Sequence, residues 1–389
     1  SAGEGKGEVA AWGWGRVGHG KMPGTCSGDV RYLRHGCFDP PMTWLSRLLR
    51  RPEPAPPPPS RGYRKLVIVL DGTLSSAEPG CETNAGLAAQ LLREQAGPDV
   101  SVYYEEGLQW RDWGDAVSIM TGDGINGQIR RAYGWLASQY RDGDRIYLIG
   151  YSRGAYAVRS LSGVIGRVGL LLRSRATERN LRAVYRLYCA PEKVEAARTF
   201  AETNCHGAVE IECVAVWDTV KALGVRLPVV WMVTNRLHRF HDHALGDHVR
   251  AGFQALARDE TRRAYAPVLW QSRPGWRGTL EQVWFRGNHG DVGGQLGGRR
   301  ASRPLSNIPF VWLMEKVERA GIVLPDGWQD AFPRDARAPS IGPWAGWSKA
   351  FWNRWPRAVG RDPSEYVHPS AQLHGSEPSP AAQKSCEDF

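Results

Sequence analysis

The sequence predicts an α/β fold, a mostly parallel β-sheet flanked by helices, and three observations carry that expectation. Short apolar, β-branched runs alternate along the chain with segments of helical period. Those runs are continuous rather than alternating, as strands buried on both faces require. Four of the strand-like segments also stop at residues suited to hydrolytic chemistry, namely Asp71, Ser152, Asp218 and a loop bearing His289. In open parallel sheets, ligands bind beyond the carboxyl ends of the strands, so such endings converge on one rim.

The elements follow in order. Leu66 to Leu70 reads as a buried parallel strand ending at Asp71-Gly72-Thr73. Thr83 to Arg93 is helical, with Leu87, Leu91 and Leu92 on one side, and Val100 to Tyr104 is a short strand. Gly124 to Tyr140 carries Ile125, Ile129, Tyr133 and Leu136 at helical spacing. A strand over 145–149 and a helix over 153–166 follow, then a charged helical insertion from Leu181 to Phe200. Val209 to Trp217 alternates, becomes fully apolar and stops at Asp218. Glu281 to Phe285 is a further strand, entering the loop Gly287 to Gly294, and Ile308 to Ala320 is helical. No internal repeat is present.

The 389 residues accommodate one large α/β domain with extensions, or two ordinary domains. Residues 1–62 form an extension expected to be poorly structured, of which 1–41 are expected to be dispensable. It includes a short basic amphipathic piece, Met42 to Arg51, and a stiff polyproline stretch, Pro52 to Ser60. Residues 63–325 form the main domain, 326–372 a Trp-rich extension packing on or capping it, and 373–389 a disordered tail. Within the extension, Trp328, Trp344, Trp347, Trp352, Trp355 and Phe351 alternate with Lys349, Arg354 and Arg357. Such a segment either packs its rings on the core or lies against lipid.

Lys and Arg number 50 against 40 Asp and Glu, for a net charge of +10, which favours anionic partners such as phospholipid head groups. Nucleic acid is not expected, because no helix-turn-helix, zinc-finger or RNA-binding signature accompanies the charge. Seven scattered cysteines without a C-x-x-C pair argue against a disulfide framework or zinc ribbon. No run reaches ~18 apolar residues, and no basic stretch leading into an apolar run opens the chain. Neither a membrane span nor a Sec signal peptide is therefore expected. The His238-Arg-Phe-His-Asp-His243 cluster and His248 have metal-like spacing but no cysteine partner, and neither metal nor cofactor is expected.

The most specific signal is Gly150-Tyr-Ser-Arg-Gly154 between a strand and a helix. Two glycines permit a sharp turn that presents the Ser152 hydroxyl at the sheet edge. A serine nucleophile needs an imidazole base, and the imidazole needs a carboxylate to fix its tautomer. The chain order Ser152, Asp218, His289 is the α/β-hydrolase order. The fold expectation therefore sharpens to α/β-hydrolase-like. Asp71 is the alternative acid. For the oxyanion, the backbone N–H of Arg153 is one donor and that of Gly72 or Thr73 the other.

Several motifs in the same order resemble the uncharacterised-domain α/β-hydrolase family that includes the type VI secretion phospholipase effectors. They are Val67-Ile-Val-Leu-Asp-Gly-Thr73 with Thr83-Asn84, Tyr103-Tyr104 with Gly107, Gly122-Asp-Gly-Ile125, and Tyr140 through the serine motif to Tyr156 with Gly169-Leu-Leu171. Val216-Trp-Asp-Thr-Val220, Ala255-Leu-Ala-Arg-Asp-Glu260 with Pro267 and Trp270, Gln282 through Gly294, and His368-Pro-Ser370 complete the set, which spans roughly 63–372. Departures from the pattern are Leu74, Gln254 and Gln295-Leu296. The resemblance implies a serine esterase of phospholipase type, with Ser152 as nucleophile, Asp218 as acid and His289 as base. It also implies a phospholipid or other ester substrate, delivery by a secretion apparatus to the periplasm or membrane of a target cell, and an immunity protein in the producer. The contrasting expectation is a catalytically silent hydrolase-like module that binds a membrane or another acidic partner through its basic surface.

Overall fold

The computed structural model describes residues 62–73, 75, 80–94, 98–107, 123–220, 244–342 and 353–372. The expectations for residues 1–61, for His238 to His243, for Trp344, Trp347, Lys349, Phe351 and Trp352, and for the tail lie outside these residues.

In chain order the elements are β1 (Lys65–Leu70), α1 (Asn84–Glu94), β2 (Val100–Glu105), α2 (Asp123–Gln139), β3 (Arg145–Tyr151) and α3 (Ser152–Val168). Then come α4 (Glu178–Tyr188), α5 (Val194–Asn204), β4 (Ile211–Trp217), β5 (Ala251–Ala257), β6 (Thr279–Phe285), α6 (His289–Gly293), α7 (Arg303–Arg319), β7 (Glu365–Val367) and α8 (Pro369–Gln372). The strands build one sheet in the order β2-β1-β3-β4-β5-β6-β7, with every neighbouring pair parallel. The architecture is the α/β-hydrolase-like one, and all strand carboxyl ends share one rim.

Alternation along the strands divides the core between the two faces. Leu66, Ile68, Leu70, Ile146 and Leu148 pack with Ile129 and Leu136 of α2 and Leu161 and Ile165 of α3. Val67, Val69, Tyr147, Ile149 and Trp217 pack on the opposite face with Leu92 of α1 and Phe310, Leu313 and Val317 of α7. Each such aliphatic side chain removed from water contributes ~1.5–3 kcal/mol. Both faces being covered explains why the strand sequences are apolar throughout.

The structure differs from the sequence reading at three elements. The insertion expected from Leu181 to Phe200 is two helices, α4 and α5, because Pro191 has no N–H and disfavours helix in the residue before it. Strand β5, Ala-Gly-Phe-Gln-Ala-Leu-Ala, is fully buried between β4 and β6 although it contains no β-branched residue. Four of its seven residues are Ala or Gly, which fit where both faces are crowded. Beyond Trp328, which is 4% exposed and packs against Phe310 and Phe332, the chain returns to add β7 beside β6. Trp355 is 68% exposed. Among the described residues, no helix is long and apolar enough to cross a membrane.

Candidate active site

Strand β3 turns directly into α3 at Ser152, whose φ of 57° lies in the left-handed region. That conformation costs a residue with a side chain ~1–2 kcal/mol, so the surroundings must impose it. They do so by contact. A Cβ on Gly154 would overlap the backbone carbonyls of Leu70 and Asp71, and one on Gly150 would sit 2.8 Å from Ala155 Cα. The first turn of α3 therefore lies hard against the end of β1, and the serine takes up the strain. Buried hydrophobic residues of α3, including Ala155, Val158 and Leu161, fix the helix on the sheet.

Asp218 stands at the end of β4 with a φ of 41°. Its amide donates to the Ala255 carbonyl (2.8 Å), and Oδ1 accepts the Ala257 N–H (3.1 Å), so neighbouring β5 holds both ends of the residue. His289 Nδ1 lies 2.6 Å from Asp218 Oδ2, and His289 Nε2 lies 2.8 Å from Ser152 Oγ. An ionised carboxylate only accepts, so Nδ1 carries the proton toward Asp218. In the neutral ring Nε2 is then the acceptor, toward which the serine hydroxyl donates. Exposures of 7% for Ser152, 0% for Asp218 and 3% for His289 keep water from competing for these bonds.

The glycine-rich segment around His289 is a short capped helix rather than the flexible loop its composition suggests. Asn288 Oδ1 accepts the N–H groups of Gly290 (2.9 Å) and Asp291 (3.1 Å), and Asp291 Oδ2 accepts the Asn288 N–H (2.9 Å). This reciprocal capping box makes His289 the first residue of α6. Its own N–H donates to Glu260 Oε2 (3.2 Å), and its ring packs against Tyr151 and Tyr265, each with centroids 4.9 Å away. Glu260 is in turn clamped by Arg262, whose Nε and Nη2 donate to Oε1 (2.8 Å) and Oε2 (2.6 Å). Burial raises the Glu260 carboxyl, but Arg262 outweighs it and the group sits below its ordinary value.

Asp218 has a partner that no sequence pattern announced. Arg357 Nη1 donates to Oδ1 (2.6 Å) and Nη2 to Oδ2 (3.0 Å), a bidentate pair with side-chain exposures of 4% and 0%. Burial pushes the Asp218 carboxyl up, but the Arg357 charge and the His289 hydrogen bond overcome this and hold it well below the usual carboxylate range.

Asp71, weighed as the alternative acid, accepts from Thr83 Oγ1, from Tyr104 OH (3.0 Å) and from the Gly72 N–H (2.7 Å). It organises the loop after β1, while the imidazole faces Asp218. Burial pushes its carboxyl up to about 6 despite these donors. The same bonds direct the Gly72 N–H at Asp71 rather than toward Ser152. Thr73 is tied down by its carbonyl, which accepts from Gln295 Nε2 (3.1 Å). Arg153 follows the serine in the first turn of α3. His248, the described member of the histidine cluster, lies with Nε2 2.9 Å from the Ser162 carbonyl.

Residues 64–316 match the family described as T6SS, phospholipase effector Tle1-like, catalytic domain. The uncharacterised protein YEL023C of Saccharomyces cerevisiae (strain ATCC 204508 / S288c) is 24% identical over 241 residues, 55% of this chain and 34% of its own. The chain thus spans about a third of that relative. A solved structure of the Tle1 effector bound to the VgrG spike from the type 6 secretion system is 17% identical, covering 61% of this chain and 52% of its own with a TM-score of 0.34. The crystal structure of an uncharacterised protein from Pseudomonas aeruginosa is 15% identical, covering 71% and 49% with a TM-score of 0.40. The family match takes in β1 to β6 and each residue assembled above except Arg357, and the chain belongs to the Tle1-like phospholipase effector catalytic-domain family of type VI secretion.

Proposed function

We propose that this chain hydrolyses carboxylic esters, those of phospholipid acyl chains, through a Ser-His-Asp triad and an acyl-enzyme. The carrying observation is the continuous hydrogen-bonded path from Ser152 Oγ through both ring nitrogens of His289 to Asp218. Ser152 Oγ attacks the ester carbonyl while His289 Nε2 takes its proton, and Asp218 stabilises the imidazolium. The N–H groups of Arg153 and Thr73 receive the oxyanion. Gly72 drops out of that role, because its N–H already serves Asp71. Collapse breaks the ester C–O bond, and the imidazolium protonates the departing lysolipid alcohol. Water then attacks the acyl-serine, giving its proton to His289, and the fatty acid leaves as Ser152 is restored.

Family membership supports the phospholipid class and, with it, delivery by a type VI apparatus and neutralisation by an immunity protein in the producer. An exposed basic face supports an anionic membrane surface as the place of work. Arg130 of α2 and Arg179, Arg182 and Arg186 of α4 stand together there with Glu178 as the acidic neighbour. The test is fatty-acid release from vesicles of defined head group, comparing the wild-type protein with Ser152→Ala. Release by the former and none by the latter is expected. Equal release by both would refute the mechanism, and folded wild-type protein inert on every acyl ester would favour the silent binding module.

A further inference from the structure

We propose that Asn353 to Arg357 is a strap that completes the site, with Arg357 the positioning residue that fixes the triad carboxylate. This rests on the triad reading above. The strap is zipped antiparallel onto the segment after β5. Arg263 N–H donates to the Asn353 carbonyl (3.0 Å), Trp355 N–H donates to the Thr261 carbonyl (2.7 Å), and Arg262 bridges Arg354. Arg354 Nη1 adds a bond to Thr261 Oγ1 (3.1 Å). Two residues beyond Trp355, the chain delivers Arg357 to Asp218.

The guanidinium is held from both sides. Besides the two carboxylate oxygens, Nη1 donates to the Ala257 carbonyl (2.8 Å) and Nη2 to the Tyr265 carbonyl. Ala257 ends β5, and Tyr265 is a residue whose ring packs on His289. One planar fork therefore ties together the acid, the end of β5 and the wall of the imidazole pocket. Lysine could not reproduce that geometry. Without Arg357, Asp218 would keep only His289 Nδ1 and the Ala257 N–H as described donors, with a full charge shut away from water. Its Cβ–Cγ bond would be freer to turn Oδ2 away from the ring.

Arg357 has a second effect of opposite sense. Its positive charge neutralises Asp218 and so opposes formation of the imidazolium. Among the described residues, the charged and titratable groups facing His289 are Asp218, Glu260 with its partner Arg262, the phenols of Tyr151 and Tyr265, and Arg357 across Asp218. Removing Arg357 alone leaves an excess of negative charge next to the ring. The imidazolium then forms more readily, and the pH at which the neutral base appears moves upward.

The experiment is the rate of labelling by a fluorophosphonate as a function of pH, which reads the Ser152 nucleophile without a lipid. Thermal melts run alongside. Arg357→Met should lower the plateau rate and move the acid limb of the profile upward. Arg357→Lys keeps the charge but loses the fork, so its acid limb should stay while the plateau falls about tenfold. A folded Arg357→Met protein with the wild-type plateau and limb, or an Arg357→Lys protein with the wild-type plateau, would overturn the proposal. If Arg357→Met does not fold, Arg357→Lys alone decides. Failure of the wild-type protein to label at all would instead sink the triad reading and leave the strap's contacts as structure only.

Discussion

Replacing Asp218 with Asn tests the proposed triad acid against Asp71, and its contacts set the size of the expected effect. The carboxylate accepts from His289 Nδ1 at 2.6 Å, Arg357 at 2.6 and 3.0 Å, and the Ala257 N–H at 3.1 Å. Both oxygens are occupied by donors, so either orientation of the Asn amide points its NH2 at another donor. If it faces the ring, Nδ1 must accept, the tautomer reverses, and Nε2 can no longer take the serine proton. In a triad of this geometry that loss is about 10⁴-fold in turnover, or about 5 kcal/mol of transition-state stabilisation. Stability falls too, because Arg357 is left buried beside a neutral group. Breaking a buried pair costs ~3–5 kcal/mol, and the retained amide oxygen places this case at the lower end. Asp71→Asn touches neither the ring nor Arg357 and should cost less than about tenfold in turnover. The assay is ester turnover at saturating substrate, with circular dichroism and a melt on each variant. Asp218→Asn within tenfold of wild type, or Asp71→Asn the slower of the two, would refute the assignment.

The other expectations are more local. Ser152→Gly and Ser152→Ala should both be inert, but the glycine variant should be the more stable by about 0.5–1 kcal/mol, because only glycine relaxes at a φ of 57°. Equal urea midpoints would mean that the elbow carries no strain. Gly154→Ala should destabilise by at least ~1–3 kcal/mol and slow turnover, since its Cβ would meet the Leu70 and Asp71 carbonyls. A wild-type melt would contradict the tight approach of α3 to β1. Asp71 gives a pH signature. Its carboxyl is raised to about 6 by burial, so the fold binds that proton more tightly than the unfolded chain does. Its contribution is full below the ordinary carboxylate range and is lost as pH rises through about 6. The stability of wild type relative to Asp71→Asn should therefore decline between about pH 4 and pH 7, and a constant or widening gap in urea unfolding would show Asp71 to be ionised throughout.

How far the sequence discloses this site follows from range. Strands β1, β3 and β4 are continuous apolar runs, legible because each is covered on both faces. The elbow was legible because its two glycines flank the serine in one short motif, although the backbone that demands Gly154, at Leu70 and Asp71, lies far off in the chain. Asp218 and His289 stood out because a strand end or a glycine cluster marked them, and the structure brings His289 to Ser152 and Asp218 to His289. What escaped was set by tertiary contact. Strand β5 has small residues without β-branching, so its periodicity carried no strand signal. The capping box at Asn288 and Asp291 was present in the sequence, but the surrounding glycines masked it. Glu260 stood in a motif with no hint that it would receive the His289 N–H. Arg357 lies 139 positions from Asp218, in a Trp-rich segment that reads either as packing on the core or as lying against lipid. Nothing local distinguishes a guanidinium aimed at a buried carboxylate from one aimed at water.

The most direct measurement is peptide mapping of the native protein after reaction with a fluorophosphonate. An activated hydroxyl at the end of β3 predicts one phosphonylated site, on the peptide carrying Ser152, lost on heat denaturation and in His289→Ala. Native protein that hydrolyses esters while its label sits on another residue, or that never reacts at Ser152, would contradict it.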